Sequence, residues 1–224
     1  MEAIYNADKN AGGGSYWIDR ILERPGAKGG PELFTRGRAL FMYTHNPSIL
    51  GFGGGYAYRE MPTGSAQDMY AITVSGASLL EDTSKRKQYP SYWSSEHNGS
   101  GLSIKQKKFI TYNNVAVTIL DIQNTSDKNT TKTLRVSSPI VDTPSEDGTE
   151  LTGVQKARYE LTTMYPRLSG DGFTVSGTDL TKSISLKPGE SVTVKVQMGV
   201  TTKELPDSTT EYERYVDYDP ETAF

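Results

Sequence analysis

The segment from Arg86 to His97 (RKQYPSYWSSEH) carries the side chains in this sequence that are best suited to binding chemistry. Sugar rings stack their apolar faces on aromatic side chains, while their hydroxyl groups need polar partners nearby; tyrosine and tryptophan combine an apolar body with a polar handle. We therefore predict a carbohydrate-contacting surface formed by Arg86, Gln88, Tyr89, Tyr92, Trp93 and His97. The alternative, which the sequence slightly favours, is that Trp93 fills the edge of a hydrophobic core.

The two histidines, His45 and His97, carry no recognisable catalytic or metal-binding motif. Neither accompanies a Gly-x-Ser-x-Gly nucleophile elbow, and neither has a second histidine at metal-ligand spacing. We predict that both are loop or surface residues that form hydrogen bonds. We expect no metal and no cofactor.

Pairs of carboxylates are the other candidates for catalysis, since glycoside hydrolysis uses two of them held roughly 5–9 Å apart. With 27 acidic residues, pairs such as Glu81 with Asp82 and Asp217 with Asp219 arise by chance. We predict that these pairs are solvated, and we assign no catalytic residue.

Composition excludes several other functions. The net charge of -3 argues against a nucleic-acid partner, which requires a concentrated basic surface. The short basic run 105–108 is predicted to lie on the solvent face of a strand. No stretch approaches the ~20 apolar residues of a membrane span, and the first residues show no signal-peptide pattern. The chain has no cysteine, so disulfides and thiolate metal sites are excluded.

Strands with side chains of alternating polarity must position these candidate residues. A period of two runs through 102–122, 132–136 and 182–198, which predicts strands with one buried face. In the last run, Pro188 and Gly189 are predicted to form the turn of a hairpin, with Val192, Val194 and Val196 facing the core. The glycine-rich segment 51–56 lacks the lysine and hydroxyl residue of a phosphate-binding loop and predicts a turn with positive φ angles.

These patterns predict an all-β fold, an antiparallel β super-sandwich with little helix. We expect a flexible lead-in over residues 1–15, one β-sandwich domain over 16–207, and an acidic tail or linker over 208–224. The Pro-, Asp- and Gly-rich stretch 138–153 is predicted to be a long surface loop.

Three segments resemble a known family: 33–45 (LFTRGRALFMYTH), 88–95 (QYPSYWSS) and 107–118 (KKFITYNNVAVT). They are similar to the N-terminal β-sandwich of large bacterial glycoside hydrolases, in which a super-sandwich domain precedes an (α/α)6-barrel catalytic domain. The end of the chain, 215–224, resembles the linker that leads into that barrel.

The resemblance implies a non-catalytic domain of a secreted or cell-surface bacterial enzyme that degrades polysaccharides. Its partners would be a downstream catalytic domain and carbohydrate, and the catalytic carboxylates would lie in the barrel rather than in this chain. Two alternatives remain open: a free-standing carbohydrate-binding module, and a small β-sandwich enzyme such as a lyase.

Overall fold

The computed structural model describes residues 40–42, 46, 48–58, 61–62, 68–88, 92–111, 114–156 and 163–202. The segments predicted as lead-in (1–15) and tail (208–224) lie outside this part of the chain, as does His45. Within it there is no α-helix, only one 3-10 turn at Thr83–Lys85, so the all-β prediction is confirmed. None of the helical structure described there is long and apolar enough to cross a membrane.

The described strands differ in length. In chain order they are β1 Leu40–Met42, β2 Gly51–Phe52, β3 Tyr56–Tyr58, β4 Met61–Pro62, β5 Tyr70–Val74, β6 Leu80–Glu81, β7 Lys87–Gln88, β8 Trp93–Gly99, β9 Leu102–Ile110, β10 Val115–Asn124, β11 Thr130–Ser137, β12 Thr143–Pro144, β13 Glu150–Thr152, β14 Gln155–Lys156, β15 Thr163–Gly170, β16 Thr174–Ser176, β17 Asp179–Leu186 and β18 Ser191–Thr202.

These strands form antiparallel sheets. A ten-stranded sheet has the order β12-β13-β15-β18-β10-β9-β8-β6, with β7 paired to β8 and β14 paired to β15. A five-stranded sheet has the order β16-β17-β11-β5-β2, and a three-stranded sheet has the order β1-β3-β4. We call the face of the ten-stranded sheet that is turned toward the five-stranded sheet its inner face, and the opposite face its outer face.

The hydrophobic core lies between the two larger sheets. Ile104 and Ile122 stand side by side on the inner face of the ten-stranded sheet, and both are fully buried. Leu134 and Val136 of β11 belong to the same buried cluster from the five-stranded side. One face of each sheet is thus apolar, as the alternation of polarity in the sequence predicts.

The two strands at 179–186 and 191–202 do not form the predicted hairpin. β17 pairs with β11 in the five-stranded sheet, whereas β18 pairs with β10 and β15 in the ten-stranded sheet. The turn with Pro188 and Gly189 therefore crosses from one sheet to the other. The inward assignment of the valines is confirmed, since Val194 and Val196 are fully buried and Val192 packs partly buried against the core.

A buried asparagine joins this crossing to the neighbouring one between β10 and β11. The backbone N–H of Asn124 donates to the carbonyl of Glu190 (3.0 Å), and the N–H of Gly189 donates to the carbonyl of Asn124 (2.9 Å). The Asn124 Nδ2 donates to the carbonyls of Lys128 (2.7 Å) and Leu186 (3.1 Å). Asn124 thus holds the same end of both sheets together.

The alternating run predicted over 102–122 forms two strands, β9 and β10, and Asn114, directly before β10, adopts a positive φ of 68°. One other prediction needs correction. The predicted surface loop 138–153 instead contains β12 and β13 and buries Ile140, Val141 and Leu151. Its apolar residues are too widely spaced to show alternation, so the turn-forming residues dominate the pattern.

Candidate functional site

Strand β8 divides the predicted carbohydrate-contacting segment between two faces of the sheet. Side chains alternate along a strand, so Trp93, Ser95 and His97 point to the inner face while Tyr92, Ser94 and Glu96 lie toward the outer face. The described members of the predicted set therefore do not form one surface. Gln88 pairs in register with Trp93, and Tyr89 lies outside the described residues.

Trp93 occupies the core. Its side chain is 1% exposed and belongs to the main buried cluster. The Arg86 guanidinium carbon lies 5.7 Å from the centroid of the indole ring, within the range of a cation–π contact. The core alternative considered for Trp93 is therefore the one that the structure shows.

Arg86 also forms an ion pair that the sequence does not predict. Its Nη2 lies 2.5 Å from Oε2 of Glu81, and its Nε donates to Oε1 at 2.8 Å. Glu81 was expected to be solvated, yet its side chain is only 4% exposed. Burial acts to raise the pKa of Glu81, but hydrogen bonds from Arg86 and Ser48 outweigh it, so the net pKa is lowered. Glu81 is thus held as a carboxylate and is a structural partner of Arg86.

His97 is a buried strand residue and not the surface residue predicted from the sequence. It is 2% exposed, and its Nε2 lies 3.0 Å from Oγ of Ser95. Burial is the main reason why the pKa of His97 is lowered to about 4, and the opposing charge of Glu81 only partly offsets this effect. The imidazole is therefore neutral at pH 7, inside the protein rather than in a cleft.

Two further polar side chains, Gln106 and Lys108 of β9, share this inner face. Gln106 Nε2 donates to Ser95 Oγ (3.0 Å), and its Oε1 accepts from the N–H of Gly51 (2.7 Å). Lys108 Nζ donates to the carbonyls of Gly51 (2.8 Å) and Ile49 (3.2 Å). Lys108 is fully buried, which lowers its pKa to about 7. We call Ser95, His97, Gln106 and Lys108 the inner polar ladder.

The inner polar ladder fixes the segment that leads into β2. Gly51 is needed there because its φ is +100° and a Cβ atom would lie 2.7 Å from the carbonyl oxygen of Tyr70. The positive φ angles predicted for this glycine-rich segment are confirmed at Gly51 and Gly54, although Gly51 and Phe52 form a strand. The prediction that 105–108 lies on a solvent face is right for Lys105, which is exposed, and wrong for Gln106 and Lys108, which are fully buried.

The outer face of β8 and β9 carries an open groove of about 330 Å³. This volume is within the usual range of small-molecule sites, roughly 300–1,000 Å³. Its walls are formed by side chains that alternate outward on three adjacent strands and by the connection that precedes β8. The residues that line it are Lys85, Lys87, Tyr92, Ser94, Ser95, Glu96, Lys105, Gln106, Lys107 and Asp121.

Tyr92 provides the aromatic surface of this groove. Its half-buried ring packs against a small apolar cluster of Phe109, Val115 and Val117 on the outer face. Lys107 Nζ lies 6.0 Å from the centroid of the ring. A ring that is supported on one side and borders a groove on the other can stack on an apolar face of a ligand.

The polar groups around Tyr92 can serve a ligand rich in hydroxyl groups. Glu96 and Asp121 stand in register on either side of Lys105, and Asp121 Oδ1 accepts a hydrogen bond from Thr193 Oγ1 (2.7 Å). Among the described residues, no three His, Asp or Glu side chains come together as a set of metal ligands. The groove therefore offers hydrogen-bond donors and acceptors together with the aromatic ring of Tyr92.

Sequence reasoning found Tyr92 but missed its companions in the groove. The signal was present in the alternation: because Leu102 and Ile104 point inward, Lys105 and Lys107 must point outward. The lysines at 85 and 87 carry no such signal, since only the pairing of β7 with β8 brings them to this face.

No protein-family model matches this sequence. Among solved structures, a protein assigned as a kojibiose phosphorylase from the human microbiome is similar over 87% of this chain and 37% of its own, with a TM-score of 0.50 and 10% identity. An inverting mannosidase of family GH92 from Bacteroides thetaiotaomicron matches 85% of this chain and 31% of its own, with a TM-score of 0.49 and 11% identity.

A protein assigned as an aldose 1-epimerase from Escherichia coli K12 matches 76% of this chain and 99% of its own, with a TM-score of 0.42 and 9% identity. At 10% identity, the similarity to the kojibiose phosphorylase shows the fold alone. This chain is an antiparallel β-sandwich, and it spans about a third of the length of the kojibiose phosphorylase and mannosidase chains.

Proposed function

We propose that this chain is the non-catalytic β-sandwich domain of a bacterial polysaccharide-degrading glycoside hydrolase, and that it contacts carbohydrate through the outer-face groove. The observation that carries the proposal is the groove itself, in which the ring of Tyr92 stands among charged and hydroxyl side chains. Stacking on the ring would orient a sugar, and the surrounding polar groups would bind its hydroxyls.

The fold supports a role within a larger enzyme. The kojibiose phosphorylase chain contains a region similar to 87% of this chain, and that region is 37% of its length. The resemblance of segments 33–45, 88–95 and 107–118 to the N-terminal domain of glycoside hydrolases points the same way. In such an enzyme the sandwich would pack on the catalytic barrel and present the groove to the polysaccharide.

A non-catalytic role agrees with the state of the titratable groups on the inner face. Glu81 is held ionised by Arg86, and His97 is neutral and buried, so neither reaches a ligand in the groove. Glycosidases need a protonated and an ionised carboxyl group on either side of the scissile bond. Glu81, which is paired with Arg86 on the inner face, cannot form such a pair with a carboxyl group in the outer-face groove.

The test compares two tyrosines of the same sheet. Tyr92→Ala removes the ring in the groove, whereas Tyr165→Ala removes a 37% exposed ring from β15, several strands away. On a panel of polysaccharides in affinity electrophoresis, we expect Tyr92→Ala to weaken binding about tenfold, which corresponds to about 1.4 kcal/mol. Tyr165→Ala should bind as the parent does.

Circular dichroism and thermal melting of both variants show that the fold is retained. A parent protein that binds no polysaccharide contradicts the proposed contact with carbohydrate. Release of reducing ends by the chain alone, abolished by Glu96→Gln or Asp121→Asn, would instead support the small-enzyme alternative.

A further inference from the structure

The outer-face groove concentrates positive charge. Four lysines line it, Lys85, Lys87, Lys105 and Lys107, together with two acidic residues, Glu96 and Asp121. The formal charge of these side chains is 4 − 2 = +2, in a chain whose net charge is -3. The groove therefore has a charge opposite in sign to that of the chain as a whole.

The pairing register places two of these lysines on either side of a serine. Lys87 of β7 stands opposite Ser94 of β8, and Ser94 stands opposite Lys107 of β9. Adjacent strands are about 4.8 Å apart, so the backbones of Lys87 and Lys107 are roughly 10 Å apart. Both lysines line the groove, so an anionic group bound above the small side chain of Ser94 would lie between them.

The aromatic ring of Tyr92 lies next to this serine. Tyr92 directly precedes β8, two residues from Ser94 on the same face, and Lys107 Nζ lies 6.0 Å from its centroid. A sugar stacked on Tyr92 would therefore carry its substituents toward Lys87 and Lys107. Lysine ammonium groups attract carboxylate and sulfate as point charges.

We infer that the groove is specific for an acidic polysaccharide, one whose sugars carry carboxylate or sulfate groups. This inference rests on the proposed contact with carbohydrate and names the class of glycan. Glu96 and Asp121 flank Lys105 and leave hydrogen-bond acceptors for sugar hydroxyls at the far end of the groove. A nucleic acid is less well matched because the described lining of the groove includes one aromatic ring and two acidic side chains.

Matched pairs of polysaccharides test the inference. The probes are dextran against dextran sulfate, and methyl-esterified pectin against polygalacturonate, with binding measured by calorimetry at 50 and 300 mM NaCl. We expect the acidic member of at least one pair to bind about tenfold more tightly at low salt, and this preference to shrink at high salt because salt screens the charges. A preference for dextran sulfate identifies sulfate as the recognised group, and a preference for polygalacturonate identifies carboxylate.

The variant Lys87→Gln/Lys107→Gln should abolish this preference, so that the acidic and the neutral member of each pair bind with similar affinity. Lys132→Gln is the matched control, since Lys132 lies on β11 in the five-stranded sheet. It should retain the preference. An equal loss in the control shows non-specific attraction and overturns the inference.

The remaining outcomes separate the acidic-polysaccharide inference from the proposed carbohydrate contact. If neutral and acidic glycans bind equally, the acidic specificity is wrong while the carbohydrate contact stands. If no glycan binds at all, the proposed carbohydrate contact itself fails. A single-stranded oligonucleotide that binds as tightly as the acidic glycan would overturn the acidic-polysaccharide assignment.

Discussion

Replacing Trp93 with alanine tests whether β8 is oriented as the structure shows. The indole side chain is 1% exposed and fills the core at the edge of the ten-stranded sheet. On the inner face it stands in register with Lys108, and the Arg86 guanidinium covers its ring. The substitution therefore removes buried apolar area and opens a cavity beside a buried ammonium group.

The magnitude follows from burial. Deleting a buried tryptophan costs about 3–5 kcal/mol, because the lost transfer free energy and the residual cavity add. For a domain of this size, each kcal/mol lowers the melting temperature by about 2–4 °C, so the expected fall is about 6–20 °C.

Tyr92→Ala is the matched control, since it changes the neighbouring aromatic residue on the opposite face. Its half-buried ring should contribute about 1 kcal/mol to stability, the typical cost of a point substitution. Urea unfolding followed by circular dichroism measures both variants, and Trp93→Leu provides a milder change should Trp93→Ala fail to fold. If Trp93→Ala were as stable as the parent while Tyr92→Ala was severely destabilised, the assignment of the two faces would be reversed.

Two further predictions concern the inner face and the sheet crossings. His97 has a pKa of about 4 when folded and an ordinary value of 6.5, so the unfolded chain binds the proton more tightly. The contribution of neutral His97 to the free energy of unfolding is complete above pH 6.5. About 3 kcal/mol of it is lost as the pH falls toward 4. In urea melts over that pH range, the His97→Gln variant should therefore lose less stability than the parent. Asn124→Ala should cost about 2 kcal/mol, because it leaves the buried carbonyl of Leu186 without its side-chain donor. The exposed Asn129→Ala in the same turn should cost almost nothing, and equal melting of the two variants would contradict the role of Asn124.

The strands themselves could be predicted from the sequence because each sheet buries only one face. Alternation identified β9, β10, β11, β17 and β18, and the inward valines of β18 were assigned correctly. Pairing could not be predicted in the same way. A period of two is identical whether Ile184 and Val194 belong to paired strands or to facing sheets, so the turn at 187–190 was interpreted as a hairpin.

The site was harder to predict because β8 has polar residues on both faces. Between Trp93 and Gly99 no apolar residue follows the tryptophan, so the sequence does not indicate which face is buried. The inward Ser95 and His97 are tolerated there because Gln106 of the adjacent strand accompanies them in the core. That compensation comes from a partner strand, which a local pattern does not contain.

The two faces of β8 and β9 are physically coupled through adjacent residues. Lys107 borders the outer groove, while the next residue, Lys108, is buried and holds the carbonyls of Ile49 and Gly51. Buried polar groups that are hydrogen-bonded restrict side chains and backbone to one arrangement. The inner polar ladder therefore fixes the register of the strands that carry Tyr92 and Lys107, and a rigid groove loses less conformational entropy on binding a ligand. In the proposed contact with carbohydrate, the polar inner face would thus contribute to recognition on the outer face without contacting the ligand.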